Sequence, residues 1–450
     1  MLGSLVTTVL MRLGWLFSMY GLLAAVTFLS VVSTPRRMWR SWAPWVFLLP
    51  IVVLLAWMPY AVEVSPDQRA AAREVTQLRW ALLFGCAVLM GARAGRLGTR
   101  ALRIAWAIAL VVSSAIGTWE VVTHSHLVGA PIWSTMQQRL ALGTFGNPNN
   151  FAAGLLAMIA GTWALRATVD RARARLALDA LTAFGCVVLL FTQSRSGLLA
   201  LLLLLGLEAW RRVGRPAGSP RRRRPLVRRR HALAGVLAVL LAALLLAAPP
   251  LAAHNPVRQL LSTAFTSHTA RSDQLRAELI TAAVRYLRES HYLGSGAGSF
   301  EALFLADPTS SATVVTNLHN AFVELLSQYG VVVGAAQLIG VALVLWVGVA
   351  GRVGRRGPRI CRDDHVEMCG YLLAFVTLGC VASSALTNAT WWMMLASSCA
   401  VWWVAATGVP LRRPPSSATT APTTGSAQHR ASSSPTTAGV ADGAGARPVS

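Results

Sequence analysis

The sequence predicts an all-α fold: a polytopic membrane helix bundle of about eleven transmembrane helices, or about twelve if a partial N-terminal span is counted, with one large helical extracytoplasmic loop. Three observations predict it. Hydrophobic residues make up 54% of the 450 positions and charged residues only 13%. The apolar residues come in blocks of about 17–25, each long enough to cross a hydrocarbon core of about 30 Å. All 41 basic residues are arginine, and most sit in short stretches between those blocks.

The formal net charge of +24 raises nucleic acid as a partner. The placement of the arginines argues instead for the bias that leaves basic loops on the cytoplasmic side of a membrane. The sequence shows no soluble basic domain and no aromatic platform for base stacking, so no nucleic-acid partner is expected.

The first block, 16–33, precedes Arg36, Arg37 and Arg40 and lacks a small-residue cleavage site, so it reads as a retained span. The second, 42–60, has Trp42 and Tyr60 at its ends, as an interfacial belt would. A mixed-charge loop, 63–77, leads to the third, 78–95, and Arg93, Arg96, Arg100 and Arg103 mark the turn before the fourth, 104–122. The loop 123–149 runs into Gly143-Thr-Phe-Gly-Asn-Pro-Asn-Asn150, where Asn147-Pro148 signals a turn. Asn149 or Asn150 is expected to N-cap the fifth span, 151–167. The sixth, 176–192, meets the seventh, 197–210, across only Gln193-Ser194-Arg195-Ser196. An arginine-rich loop, 211–230, precedes the eighth, 232–253. The ninth, 320–350, is too long for one perpendicular crossing, so its first turns should stand above the bilayer or the helix should tilt. The tenth and eleventh are 366–386 and 391–407.

The chain therefore divides into spans with short loops at 1–253, an extracytoplasmic loop with an amphipathic helix at 254–318, the last spans at 319–407, and a tail at 408–450. That tail is rich in Ser, Thr, Pro, Ala and Gly and should be disordered in the cytoplasm. Loops after odd-numbered spans, with the tail, hold 30 of the 41 arginines. The positive-inside bias puts those loops in the cytoplasm, and the 123–149 loop, the 193–196 turn and the 254–318 loop outside. The six cysteines lie in spans or cytoplasmic loops and no Cys-x-x-Cys occurs, which argues against a disulfide framework and a zinc site.

Several outer residues could carry chemistry. Arg195 sits between two apolar blocks with almost no loop to solvate it, which makes it a functional candidate. It could snorkel to the interface, or it could clamp an anion at headgroup depth, a task that suits a planar, always-charged guanidinium. Arg271 opens a helix in which Leu275, Leu279, Ile280, Ala283, Val284 and Leu287 recur at helical spacing. Such a helix could lie on the membrane or cap the bundle. Arg271 and Arg276 are either solvated helix charges or ligand contacts. Gly294-x-Gly-x-Gly follows no strand, so it is a tight turn whose amides face a ligand or a neighbouring backbone, and not a dinucleotide loop. His319 is the candidate base, because its ordinary pKa near 6.5 suits proton transfer at neutral pH. His124 and His126 have no acidic or cysteine companions, and no outer Asp-x-Asp pair offers a divalent metal a site.

Together these motifs resemble the O-antigen ligase and polymerase superfamily, polytopic membrane glycosyltransferases of GT-C type. Gly143 to Phe151 resembles the family's Gly-Asn-Pro-Asn approach to a span. Thr192-Gln-Ser-Arg-Ser-Gly197 is similar to its Ser-Arg-(Ser)-Gly turn. Arg271 with Gly294-Ser-Gly296 is similar to its Arg … Leu-Gly-x-Gly element, and Leu318-His-Asn … Gly330 to its His-Asn-(nine residues)-Gly element. Here Gly330-Val-Val-Val-Gly334 is one residue longer than the ligases' Gly-x-x-Gly. The resemblance implies transfer of a glycan from a polyprenyl-diphosphate donor to an acceptor hydroxyl on a glycan, lipid or cell wall. It implies that this happens at the outer face of the plasma (inner) membrane, with no metal, cofactor or nucleotide sugar. Arg195 and Arg271 would bind the diphosphate and His319 would activate the hydroxyl. Asn320, Arg276, Asn149, Asn150, Gly294 and Gly296 would complete the substrate site. Ligase and polymerase remain equally open. The alternative is a transporter or flippase of a lipid-linked glycan, which calls for broken helices, mid-membrane ionisable residues or internal repeats. Glu120, Asp179 and Glu208 lie toward span ends, and no repeat is evident.

Overall fold

The structure, a computed structural model, describes residues 21–36, 38–127, 140–213, 267–308, 317–350, 361–381 and 385–407. Every regular element among them is helical. In chain order these are α1 (Gly21–Val32), α2 (Ala43–Glu63), α3 (Gln68–Gly91), α4 (Arg96–Thr123), α5 (Pro148–Thr168), α6 (Ala172–Phe191) and α7 (Arg195–Val213). They continue as α8 (Ser267–Glu289), α9 (Ser299–Ala306), α10 (Ala321–Ala350), α11 (Arg362–Val381) and α12 (Ala389–Thr407). Among the described residues, eight helices are long and apolar enough to cross a membrane: α2 to α6 and α10 to α12. The protein is a polytopic helical membrane protein. The expected eighth span, 232–253, and the tail, 408–450, lie outside the described residues.

The bundle is built around α5, which is buried on every side from Asn150 to Leu165. A helix with no polar face belongs in the centre of a bundle. The helices α4, α6, α7 and α11 surround it, α12 packs between α3 and α11, and α2 packs on α10. Without a hydrophobic drive between helices in lipid, close approach rests on small residues. At Gly161 a Cβ would lie 2.7 Å from Trp106 Cβ and 2.8 Å from the Tyr371 hydroxyl.

Two polar clusters fasten the two ends of the bundle. At one end, Arg103 of α4 is buried against α11, with its Nε 3.0 Å from Glu367 and its Nη2 2.8 Å from Asp364. Tyr371 donates a further hydrogen bond to Glu367. At the other end, the fully buried Glu120 accepts the amides of Leu142 and Gly143, both at 2.7 Å. That carboxylate ties the 123–149 loop down onto α4.

Three boundaries differ from the sequence expectation. The mixed-charge loop 63–77 shrinks to residues 64–67, because Asp67 caps α3 by accepting from the amides of Arg69 and Ala70. Arg73, Glu74 and Gln77 are therefore helical. The cap of α5 is Asn147, not Asn149 or Asn150: Pro148 supplies the first helical position, so the cap precedes it. The long ninth span neither simply overhangs nor simply tilts. It is broken at Gly330, whose φ of 83° and ψ of 175° are non-helical.

The break explains the glycine loop. In hydrocarbon every backbone group freed from a helix needs another partner. The segment 292–296 supplies those partners: Val331 donates to the Tyr292 carbonyl at 2.9 Å, Ser295 donates to Ser327 at 2.8 Å, and Gly296 donates to Gln328 at 3.0 Å. Ala297 extends the tie to α2, donating to Ala61 at 2.8 Å. Above this junction α8 caps the bundle. Its Leu279, Ala283 and Tyr286 bury against Phe300 and Phe304 of α9 and against Leu318. Asp307 holds the same corner, accepting from the Tyr286 hydroxyl at 2.9 Å and pairing with Arg285.

Candidate active site

The polar residues of the capped end surround two adjoining cavities. The first, of about 210 Å³, is walled by Glu74 and Gln77 of α3, Asn317, and Glu324 and Gln328 of α10. The second, of about 490 Å³, is walled by Trp80, Phe145, Asn150 and Asn388. Gln77 and Thr387 line both. Glu324 is buried, with 8% of its surface exposed. Gln328 donates to its Oε1 at 3.3 Å, and its Oε2 has no hydrogen-bond partner among the described residues. Glu74 accepts from the Tyr329 hydroxyl at 2.7 Å.

His319 stands at the entry to α10 in a left-handed turn, with φ of 49°. Its amide donates to Asn317 Oδ1 at 3.0 Å. The ring Nδ1 is buried without a hydrogen-bond partner among the described residues. Burial, and then the nearby Arg276 guanidinium, push the imidazole pKa below its ordinary value. The ring is therefore neutral at neutral pH, the form that can accept a proton. It does not line either cavity itself; its neighbours Asn317 and Leu318 do.

The other residues singled out from the sequence fall into distinct positions. Ser194 caps α7: its hydroxyl accepts from the Gly197 amide at 3.1 Å and bonds Asn149 Oδ1 at 2.8 Å. Arg195 is thereby the first residue of α7, at the positive end of that helix's dipole, and is exposed. Asn149 serves that turn, while Asn150 is buried and lines the larger cavity. Arg271 lies in α8, and its side chain is outside the described residues. Asn320 caps α10, its Oδ1 accepting from the amides of Phe322 and Val323 at 3.1 Å. Gly294 and Gly296 are spent on the fold, because their amides donate to Ser290 Oγ and to the Gln328 carbonyl. Of the two alternatives for these amides, that of Gly296 faces a neighbouring backbone, whereas that of Gly294 meets a side-chain hydroxyl.

Glu74, Glu324 and Gln328 were not singled out from the sequence. A signal existed for Glu324, an ionisable residue inside a long apolar block, which is a functional candidate by default. Glu74 was hidden in what read as a solvated loop.

This arrangement defines a class: a multi-pass helical membrane protein with a polar, partly enclosed site at one end, roofed by an amphipathic helix. The family model described as O-antigen ligase matches residues 180–355. The match covers less than half of the chain and supports a likeness to the O-antigen ligase and polymerase-like family. It contains Arg195, Arg271, Arg276, Gly294, Gly296, His319 and Asn320, whereas Asn149, Asn150 and the α3 wall of the cavities precede it. No curated protein matches the chain.

Proposed function

We propose that the protein transfers a glycan from a polyprenyl-diphosphate donor to an acceptor hydroxyl, on the extracytoplasmic face of the plasma membrane and without a metal. One observation carries the reading. Within the segment matched by the O-antigen ligase family model, His319 carries a buried ring nitrogen with no hydrogen-bond partner among the described residues, next in sequence to the cavity-lining Asn317 and Leu318. In the proposed reaction the acceptor oxygen attacks the anomeric carbon, and its proton passes to the neutral imidazole of His319. The anomeric carbon–oxygen bond to phosphorus breaks, and its electron pair leaves with the diphosphate. Arg195 and Arg271 hold that diphosphate, because fixed guanidinium groups stabilise developing negative charge without reorganising. Arg276 keeps His319 neutral between turnovers.

The test uses purified full-length protein in nanodiscs with a polyprenyl-diphosphate glycan and candidate acceptors. Arg195→Ala, Arg271→Ala and His319→Ala should each abolish transfer while leaving membrane insertion intact. Full activity in Arg195→Ala would remove the clamp from the mechanism. Product length separates a ligase, with one addition, from a polymerase, with many. A second reading, movement of the lipid-linked glycan across the bilayer, is favoured by the break in α10 at Gly330, since broken helices mark many transporter sites. Transbilayer movement of labelled lipid-linked sugar with no new glycosidic bond would select it.

A further inference from the structure

Three acidic side chains, Glu74, Glu301 and Glu324, line the smaller cavity together with one guanidinium, that of Arg73. The site is built for a polar ligand. Glu324 Oε2 is a buried oxygen with no hydrogen-bond partner among the described residues, on a side chain only 8% exposed in a wall of this cavity. A buried acceptor left unmatched costs about 1–3 kcal/mol, so a ligand that supplies a donor recovers that cost. Gln77, Asn317 and Gln328 add neutral amide groups, and Thr387 adds a hydroxyl. The larger cavity continues from Gln77 and Thr387 and brings the rings of Trp80 and Phe145. Together the two volumes fall within the roughly 300–1,000 Å³ usual for ligand sites.

Carboxylate and amide acceptors beside flat aromatic faces match one ligand chemistry, the alternating hydroxyls and apolar ring faces of a saccharide. We infer that the double cavity is a saccharide-binding cleft, with Glu324 Oε2 accepting a sugar hydroxyl and the Trp80 and Phe145 side receiving a sugar ring. The inference rests on the glycan-transfer reading and deepens it. Diphosphate chemistry is assigned to the arginines, and glycan recognition to carboxylates on α3 and α10. The sugar could belong to the acceptor or to the donor's own glycan.

The experiment measures binding without donor. Fluorescently labelled full-length protein in nanodiscs is applied to an array of defined hexose and N-acetylhexosamine trisaccharides, and the strongest binder is titrated in solution. Wild type should bind. Glu324→Gln, which keeps side-chain volume, should weaken binding at least tenfold with a Tm equal to or above that of wild type. Trp80→Ala should weaken it severalfold. Asp170→Asn, exposed on the loop between α5 and α6, should leave it unchanged. A farnesyl-diphosphate-linked sugar added as competitor separates the sources: displacement assigns the cleft to the donor's glycan, and no displacement assigns it to the acceptor.

Four results overturn the inference: no trisaccharide bound by wild type, wild-type affinity in Glu324→Gln, displacement of bound trisaccharide by inorganic pyrophosphate, or a calcium or magnesium site abolished by Glu324→Gln while sugar binding persists. The cleft and the reaction fail separately. Transfer with Glu324-independent sugar binding refutes the cleft alone. Sugar binding through Glu324 with no transfer under any acceptor refutes the transferase alone.

Discussion

Replacing Gly330 with alanine tests how the capped end is held together. Its φ of 83° and ψ of 175° lie in a region populated essentially by glycine, and holding another residue there costs about 1–3 kcal/mol. Space is the larger obstacle. A Cβ at this position would sit 2.3 Å from the Leu293 carbonyl oxygen, and both groups are backbone, so neither can swing aside. Relief requires the 292–296 segment to move away from the break. That move costs the bonds from Val331 to Tyr292, from Ser295 to Ser327 and from Gly296 to Gln328, each worth about 0.5–1.5 kcal/mol net. Strain and lost bonds together give about 2.5–7.5 kcal/mol, a large share of the roughly 5–15 kcal/mol that keeps a protein folded. The measurement is thermal unfolding in nanodiscs, with Gly206→Ala as the control, since nothing lies within 4 Å of a Cβ added at Gly206. Gly294→Ala acts on the same contact, its Cβ meeting the Gln328 carbonyl oxygen at 2.5 Å and the Gly330 amide nitrogen at 2.6 Å, so the double variant should lose less than the sum of the singles. A Gly330→Ala protein with the Tm of the control would refute the account of the break.

Two further perturbations follow from the structure. Because burial and Arg276 hold the His319 pKa below its ordinary value, transfer should persist as pH falls past the usual histidine range and then decline. Arg276→Ala should move that decline to higher pH, and a pH–rate profile that does not shift would separate the two residues. Arg103→Ala leaves the Glu367 carboxylate, whose side chain is fully buried, without its cation. Removing one partner of a buried pair costs about 3–5 kcal/mol. It should lower Tm sharply while sparing transfer per folded molecule, since the pair lies far along α4 and α11 from the capped end.

Most of the fold was legible because lipid imposes one strong rule, a continuous apolar block for every crossing. What the blocks could not show was where a helix continues past its apolar stretch or breaks inside one. α3 begins at Gln68, ten residues before the apolar block, and only the capping bonds of Asp67 reveal that Arg73, Glu74 and Gln77 are helical. Gly330 reads in sequence as one small residue among valines, and the break becomes visible only through the loop that satisfies it. At the site, His319 stood out by residue type and position. The carboxylates did not, because their importance comes from being brought to one cavity from segments about 250 residues apart in the chain. Periodicity is blind to such long-range pairing.

The glycine loop shows how a familiar pattern can be put to another use. Gly294-Ser-Gly-Ala-Gly-Ser has the spacing of a turn that cradles an anion with its amides. Here every amide from Gly294 to Ser299 already donates to a protein acceptor: Ser290 Oγ, Ser327, Gln328, Ala61, the Gln328 side chain and Gly296 in turn. The loop's donors are all taken, those of Ser295 and Gly296 by the carbonyls freed at the break in α10, so they add nothing to an anion site. In the proposed reaction the diphosphate is therefore assigned to side chains, and guanidinium groups are the ones that can grip it in a fork while remaining charged. The same repair fixes Gln328, which receives the Gly298 amide on one side and donates to Glu324 on the other. The break therefore sets the geometry of the carboxylate wall as well as of the backbone. Helix, loop and cavity form one mechanical unit, in which the glycine loop positions Glu324 through Gln328.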